Sequence, residues 1–152
     1  MHSRIFQIST KQLGRDDYLK SCQFDPEEYS DFADYIADGI ADEDEELEWF
    51  ADVMSDIFDC DGRKLTLRDI SGFIEEWKAD VKKRANEFDP KGDGMSSYHL
   101  RHSVNDTHKR INFRFYDDDY GMMNTRRLIE NVLLYHKPGD KFYIGGILDY
   151  HY

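Results

Sequence analysis

The amino-acid sequence predicts an α+β fold, a small and mostly antiparallel sheet packed with about four helices in the order βαααββαβ. Two observations lead to this prediction. Runs of β-branched and aromatic residues lie at both ends of the chain, and apolar residues recur at helical spacing between residues 26 and 86. With 152 residues, 39% hydrophobic and 14% aromatic, the sequence is sufficient for one domain spanning residues 1–152.

The first elements are predicted to be a strand and a helix. Residues 4–10 have the β-branched and aromatic composition of a strand, and residues 11–24 predict a loop with one helical turn. Asp25 followed by Pro26 is a typical helix start, with a side-chain cap and a proline at the first helical position. Apolar residues at helical spacing then predict that this helix continues to Gly39.

Two further helices are predicted in the middle of the chain. The second begins near Asp42 and ends at Gly62, and the third begins after Thr66, which would form a capping box with Asp69. We expect the third helix, which reaches about Asn86, to be the central buried helix. Its apolar stripe consists of Ile70, Phe73, Ile74, Trp77 and Val81.

The second half of the chain is predicted to contain two strands, a helix and a final strand. Residues 98–104 and 110–116 are expected to be strands, and Asn124 caps a fourth helix that stops before Pro138. Residues 141–152 form the last strand, and its adjacent glycines, Gly145 and Gly146, predict a β-bulge. We expect this strand to pair with the first, because two segments with such strong strand patterns would favour aggregation if they were left as unpaired edges of the sheet.

The charge of the sequence is concentrated in one third of the chain. The formal net charge is −12, from 20 basic and 32 acidic residues. Residues 16–62 contain 18 acidic residues and a single base, Lys20, so this part carries −17 and the remainder +5. Such a distribution repels nucleic acid from the acidic part and attracts basic protein surfaces.

The acidic residues of the first two predicted helices recur at steps of three and four, which places them on one face of each helix. No lysine or arginine interrupts either row, although like charges at this spacing cost a helix about 0.2–0.5 kcal/mol per pair. The rows are Glu27, Asp31, Asp34 and Asp38 in the first helix and Glu45, Glu48, Asp52, Asp56 and Asp59 in the second.

These rows of carboxylates resemble the phosphates of nucleic acid, which lie about 3.4 Å apart along each strand. The sequence therefore predicts that the nine residues bind a basic protein surface, in particular a nucleic-acid-binding enzyme, with no direct binding to nucleic acid or membrane. An acidic surface that serves solubility alone is the alternative. If the acidic part has no partner, the next candidate surface is the mildly basic second half, with Arg101, Arg110, Arg114, Arg126 and Arg127.

Three histidines, His99, His102 and His108, form a candidate zinc site. On a helix, the spacing of the first two would place both imidazoles on one face, as zinc binding requires. In the predicted strand 98–104 they would point to opposite faces. Surface histidines are therefore the favoured interpretation, no cofactor is expected, and zinc is the alternative.

Catalytic motifs are absent from the sequence, which contains no Gly-rich phosphate loop, no Gly-x-Ser-x-Gly and no His-Glu-x-x-His. Asp59 and Asp61 flank Cys60 and raise the pKa of its thiol, which is the opposite of what a nucleophile needs. Only two cysteines and no apolar run of about 18 residues are present. We therefore expect a non-enzymatic, cytoplasmic protein.

The opening residues Met1-His2-Ser3-Arg4-Ile5-Phe6 and the closing residues Tyr143-Ile144-Gly145-Gly146 and Asp149-Tyr150-His151 resemble those of a family of small, uncharacterised acidic proteins. That family is encoded by gut Firmicutes and their mobile elements. In size, acidity and lack of catalytic motifs the chain also resembles phage-encoded anti-CRISPR and anti-restriction proteins. This resemblance implies an inhibitor that occupies the basic channel or the PAM-reading cleft of a nuclease such as Cas9.

The sequence thus predicts an acidic inhibitor, encoded by a mobile element, that blocks a nucleic-acid-binding enzyme through its acidic helices. One alternative is a non-catalytic structural or assembly protein of a mobile element. The other is a zinc-stabilised protein that uses the histidine cluster.

Overall fold

The computed structural model describes all 152 residues and contains one seven-stranded sheet and five helices, which confirms the predicted α+β class. The strands are β1 (His2–Ser9), β2 (Tyr35–Ala37), β3 (Phe58–Asp61), β4 (Lys64–Leu67), β5 (Arg114–Asp117), β6 (Gly121–Met123) and β7 (Lys141–His151). The helices are α1 (Pro26–Tyr29), α2 (Glu43–Val53), α3 (Ser71–Asn86), α4 (Met95–Asp106) and α5 (Thr125–Tyr135). None of the helices has the length and apolar character that crossing a bilayer requires.

The sheet is organised around the two terminal strands, which pair as predicted. β1 and β7 run antiparallel along nearly their full length, from His2 opposite His151 to Ser9 opposite Tyr143. The strand order is β3-β4-β7-β1-β5-β6, and only the β1–β5 pair is parallel. The other edge of β7 is shared, since β4 pairs with its beginning and β2 with its end.

Alternate residues of the central strands pack into two apolar clusters on opposite faces of the sheet. Phe6 and Ile147 belong to a cluster of 20 buried residues to which α2, α3 and α5 contribute. Ile5 and Leu148 belong to a cluster of five, which is completed by residues such as Leu19 from the irregular segment between β1 and β2. Both faces of the central strands are therefore buried.

Gly145 and Gly146 form the predicted β-bulge in β7. Together they oppose the single residue Gln7 of β1, between two regularly paired positions. The buried Gln7 side chain accepts hydrogen bonds at Oε1 from the backbone N–H groups of Gly146 and Leu19, both at 2.8 Å. Its Nε2 donates to the carbonyl of Asp17 at 3.1 Å. One amide thus joins both central strands to the segment that covers the second face.

The first predicted helix is correct at its start and wrong beyond its first turn. The Asp25 side chain caps α1 by accepting from the Glu27 N–H, but α1 ends at Tyr29 and residues 35–37 form β2. The backbone N–H of Asp34 donates to the carbonyl of His151, and β2 continues this pairing along β7. Hydrogen bonds with a distant strand edge therefore override the local helical periodicity.

The second predicted helix is too long, and the start of the third is misplaced. α2 ends at Val53, and the next residues form the hairpin of β3 and β4, in which Gly62 adopts a positive φ of 56° at the turn. Thr66 lies in β4, so the predicted capping box is wrong. α3 begins at Ser71, whose backbone N–H donates a hydrogen bond to the side chain of Asp69.

The predicted strand at residues 98–104 is wrong, because these residues form most of α4. This helix packs against α3 through specific hydrogen bonds. The indole N–H of Trp77 donates to the carbonyl of Ser103 at 2.6 Å, and the Ser103 hydroxyl donates to Asp80 at 2.6 Å. These hydrogen bonds hold residues 98–104 in the helix, and their partners on α3 are distant in sequence.

The sequence predicted that α3 would be the central buried helix, but the most buried helix is α5. Phe73 is the only buried residue of α3, and Trp77 is half-buried. α5 begins at the predicted Asn124 cap, whose side chain accepts from the N–H of Arg127. It buries Thr125, Leu128, Ile129 and Val132.

A methyl group at Gly146 should disrupt the bulge. A Cβ atom there would lie 2.6 Å from the carbonyl oxygen and 2.7 Å from the amide nitrogen of Leu19, which are backbone atoms that cannot rotate away. We expect Gly146→Ala to lower the free energy of unfolding by about 1–3 kcal/mol, measured by urea denaturation. The matched control is Gly72→Ala in α3, where a Cβ atom meets nothing within 4 Å and stability should stay equal or rise. Equal stability of the two variants would contradict the described packing of Leu19 on the bulge.

Candidate functional site

The acidic row predicted for the first helix does not exist in the structure. Glu27 lies on the short α1, Asp31 and Asp34 lie in the irregular segment after it, and Asp38 follows β2. Asp34 is 3.1 Å from His151, and Asp38 accepts hydrogen bonds from the backbone and the hydroxyl of Ser21. The four carboxylates therefore do not share one helical face, because the helix that would align them ends at residue 29.

The acidic row predicted for the second helix is retained in part. Glu45, Glu48 and Asp52 are exposed on α2, at spacings that place them on one face. Asp56 lies beyond the end of the helix, 3.2 Å from Lys109. Asp59 lies in β3, 3.6 Å from Arg68. Asp56 leaves the row because α2 ends at Val53, and Asp59 leaves it because residues 58–61 join the sheet.

Asp44 extends the remaining row, since it lies four residues before Glu48 and is also exposed. We define the acidic face of α2 as Asp44, Glu45, Glu48 and Asp52. No basic group lies within 4 Å of any of these four carboxylates.

Two other acidic residues of the same helix do have basic partners. Glu43 pairs with Arg63 at 2.6 Å, and Glu46 pairs with Arg4 at 2.7 Å. Arg4 also pairs with Asp149 of β7, so these contacts tie α2 to the sheet. The ion pairs of α2 thus lie on the side that contacts the rest of the domain, and the acidic face is free.

Trp49 lies beside the acidic face, four residues after Glu45 and three before Asp52. Its side chain is 39% exposed. One part of the indole packs edge-on against Phe113, with ring centroids 4.8 Å apart, and the Arg4 guanidinium lies 5.6 Å from its centre. A large aromatic side chain held rigidly at the surface is a common anchor of protein interfaces.

The three histidines have separate partners. His99 and His102 lie on α4, where Nδ1 of His102 is 2.5 Å from a carboxylate oxygen of Asp106. His108 follows the helix, with its ring centroid 4.7 Å from that of Phe73. No group of three or more histidine, cysteine or acidic side chains has an arrangement able to hold a metal ion.

A cleft of about 750 Å³ lies at the end of the sheet where both termini meet. Its walls come from α4, from residues 110–114, from residues 30–34 and from the end of β7. Burial raises the pKa of the Tyr150 phenol, which donates a hydrogen bond to the carbonyl of Asn112 in this cleft. The cleft was not predictable from the sequence, since it depends on residues 98–104 forming a helix where a strand was expected.

The pKa of the Cys60 thiol is raised, in the direction that the sequence predicted, but mainly for a different reason. Burial, with a further contribution from the charge of Asp59, raises the pKa of the thiol to about 11. The side chain lies in β3, and Cys22 is exposed. At neutral pH the Cys60 thiol is protonated and therefore a poor nucleophile.

Comparisons with known proteins found no relatives of this chain. No family model matches it, and it has no significant match among curated proteins or solved structures.

The two thiols should react at different rates. Because the thiolate is the reactive form, Ellman's reagent at pH 8 should modify exposed Cys22 at least about tenfold faster than Cys60. As the pH rises toward 11, Cys60 ionises and the difference should shrink. Cys22→Ala should remove the fast phase and Cys60→Ala the slow one. Equal rates for both thiols of the native protein at pH 8 would contradict the burial of Cys60.

Proposed function

We propose that this protein is a non-catalytic inhibitor whose acidic face of α2 binds a basic surface of a nucleic-acid-binding enzyme, such as a Cas9-type nuclease. The observation that carries the proposal is the partition of charge on this helix. The acids that contact the domain have arginine partners, and the four outward ones have none, although the chain contains 20 basic residues.

The structure of the helix does not itself require all of these charges. Asp42 caps α2, and acids in its first turn interact favourably with the positive end of the helix dipole. Glu48 lies beyond that turn, and Asp52 lies near the C-terminus, where negative charge is unfavourable. α2 contains no lysine or arginine that would offset these two charges. Their cost to the helix is therefore better explained by a function than by folding.

A basic partner would relieve this repulsion. Like charges three or four residues apart destabilise a helix by about 0.2–0.5 kcal/mol per pair, and a cationic cleft would turn that repulsion into attraction. Uncompensated negative charge also accelerates encounter with a basic surface. Trp49 adds apolar contact area next to the charges, which suits an interface that excludes water at its centre. The acidity and size of the chain support an origin in a mobile element.

Removal of charge from the acidic face should weaken binding more than the same removal elsewhere. We expect Glu48→Gln/Asp52→Asn to bind a Cas9-type nuclease at least about tenfold more weakly than wild type, since charged interface pairs control affinity and encounter rate. The matched control is Asp118→Asn/Asp119→Asn, which changes the net charge equally at two exposed residues without ion pairs. Dissociation constants and DNA-cleavage rates measured at several salt concentrations provide the test.

The outcomes separate the acidic face from the total charge. Wild-type binding should weaken with salt, because screening shortens the Debye length from about 10 Å at 0.1 M to about 3 Å at 1 M. The α2 variant should melt no lower than wild type. Equal weakening by both double variants would attribute binding to net charge alone and contradict the proposal.

A second candidate, a self-assembling structural protein, is favoured by an exposed apolar patch. Leu133, Leu134 and Tyr135 at the end of α5 are all more than half exposed, and Tyr120 stacks on Tyr135 with ring centroids 6.1 Å apart. Under this alternative, sedimentation velocity should detect oligomers that Leu134→Lys abolishes. A wild-type protein that stays monomeric at about 100 μM, where specific weak contacts are populated, would contradict it.

A further inference from the structure

Three arginines without a carboxylate partner line the cleft at the end of the sheet. Arg101, Arg110 and Arg114 have no carboxylate within 4 Å, whereas five of the other seven arginines in the chain are paired with one. With 32 acidic residues in the chain, arginine side chains have many available partners. The cleft therefore collects guanidinium groups that are left without counterions.

The three guanidinium groups come from different elements. Arg101 lies on α4, and its guanidinium forms no hydrogen bond within the protein. Arg114 lies in β5, with its guanidinium 5.3 Å from the ring centre of Phe32. Nη2 of Arg110 is 3.3 Å from Nδ1 of His99. Most of their N–H donors thus remain available. Arginine donates in a planar fork that matches the oxygens of phosphate, so three guanidinium groups lining one cleft can serve as an anion site.

The backbone that places Arg110 at the cleft is strained. Thr107 and Arg110 have positive φ values of 63° and 53°, and neither is glycine. The chain reverses here between α4 and β5, which returns Arg110 to the side of α4 that carries His99. Strain of this kind is found more often at binding sites than elsewhere. This observation is independent of the charges and points to the same cleft.

The cleft is also lined by three carboxylates, two of which have a histidine partner. Asp106 is 2.5 Å from His102, and Asp34 is 3.1 Å from His151. Only Asp31 has no basic partner. The cleft therefore offers three guanidinium groups without carboxylate partners and one free carboxylate, Asp31, that can accept from the hydroxyl or amino groups of a ligand.

The remaining lining suits a flat ring. The Tyr98 ring is 45% exposed and lies against His102, with centroids 4.2 Å apart. The side-chain amide of Asn105 also lines the cleft and forms no hydrogen bond within the protein. Aromatic faces and free amides recognise the face and the edges of a nucleobase. A cleft of about 750 Å³ has the size of a small-molecule site.

We propose that this cleft binds a mononucleotide. Arg101, Arg110 and Arg114 hold the phosphate, the base stacks on Tyr98, and Asp31 accepts from the sugar hydroxyls. A nucleic-acid strand would extend beyond the cleft and meet the field of a protein with a net charge of −12, whereas a mononucleotide keeps its charge next to the arginines. The cleft shares no residue with the acidic face of α2, so this site is independent of the proposed inhibitor function.

The experiment is a calorimetric and NMR titration of the full chain with AMP, GMP, CMP and UMP. Inorganic phosphate, the four nucleosides and a short RNA oligonucleotide serve as comparison probes. We expect at least one mononucleotide to bind with a dissociation constant below about 1 mM, and its nucleoside and inorganic phosphate to bind at least about tenfold more weakly.

Substitutions locate the site. Arg101→Gln and Arg114→Gln should each weaken mononucleotide binding at least about tenfold, since each removes a charged phosphate contact. Arg127→Gln, which removes an exposed arginine outside the cleft, should leave binding unchanged. Arg101 is exposed on α4, so its variant tests the site without loss of packing, and thermal melts verify the fold of all three.

Three results would overturn the proposal. They are the absence of mononucleotide binding at about 5 mM, binding that the arginine variants in the cleft leave unchanged, and tighter binding of inorganic phosphate or of the RNA than of any mononucleotide.

Discussion

The amide of Gln7 is the interaction on which the two-sided sheet depends. It is buried at the bulge between β1 and β7, and its hydrogen bonds reach Gly146, Leu19 and Asp17. An apolar side chain in its place would leave buried backbone groups without partners, which costs more than an ordinary hydrogen bond contributes. Because Gly146 has no Cβ, the Leu19 backbone can approach the strand closely. The irregular segment that follows β1 is therefore held on the second face of the sheet.

The edge of β7 that faces away from β1 determines where the rest of that segment lies. β4 occupies the beginning of this edge and β2 its end, so a long strand that would otherwise expose unpaired backbone groups is covered twice. Because β2 pairs with the end of β7, the preceding residues 30–34 lie at the end of the sheet, across the cleft from α4 and beside both termini. The N-terminal amine donates to the carbonyl of Tyr152 at 2.6 Å there. The cleft is thus a consequence of strand pairing.

The same small domain presents two surfaces of opposite local character. Arginines pair with the acids that hold α2 to the sheet, notably Arg4 with Glu46 and Arg63 with Glu43. The acids of the acidic face of α2 and the arginines of the cleft form no ion pairs with each other, because they project from separate elements. Uncompensated charge of either sign destabilises a compact protein, which supports a binding role for both surfaces.

The sequence alone determined the features that depend on local chemistry. The helix starts at Asp25, Asp42 and Asn124 follow from capping side chains, and the glycine bulge follows from a missing Cβ. The raised pKa of the Cys60 thiol was predicted in direction from its acidic neighbours, but its main cause is burial, which only the fold supplies. The pairing of the two terminal strands was also predictable, because these are the strongest strand patterns in the chain. Tertiary structure decided the end of α1, the strands β2 to β4, the helix α4 and the cleft. These depend on hydrogen bonds such as that from Asp34 to the carbonyl of His151, whose partner is distant in sequence and invisible to any local pattern.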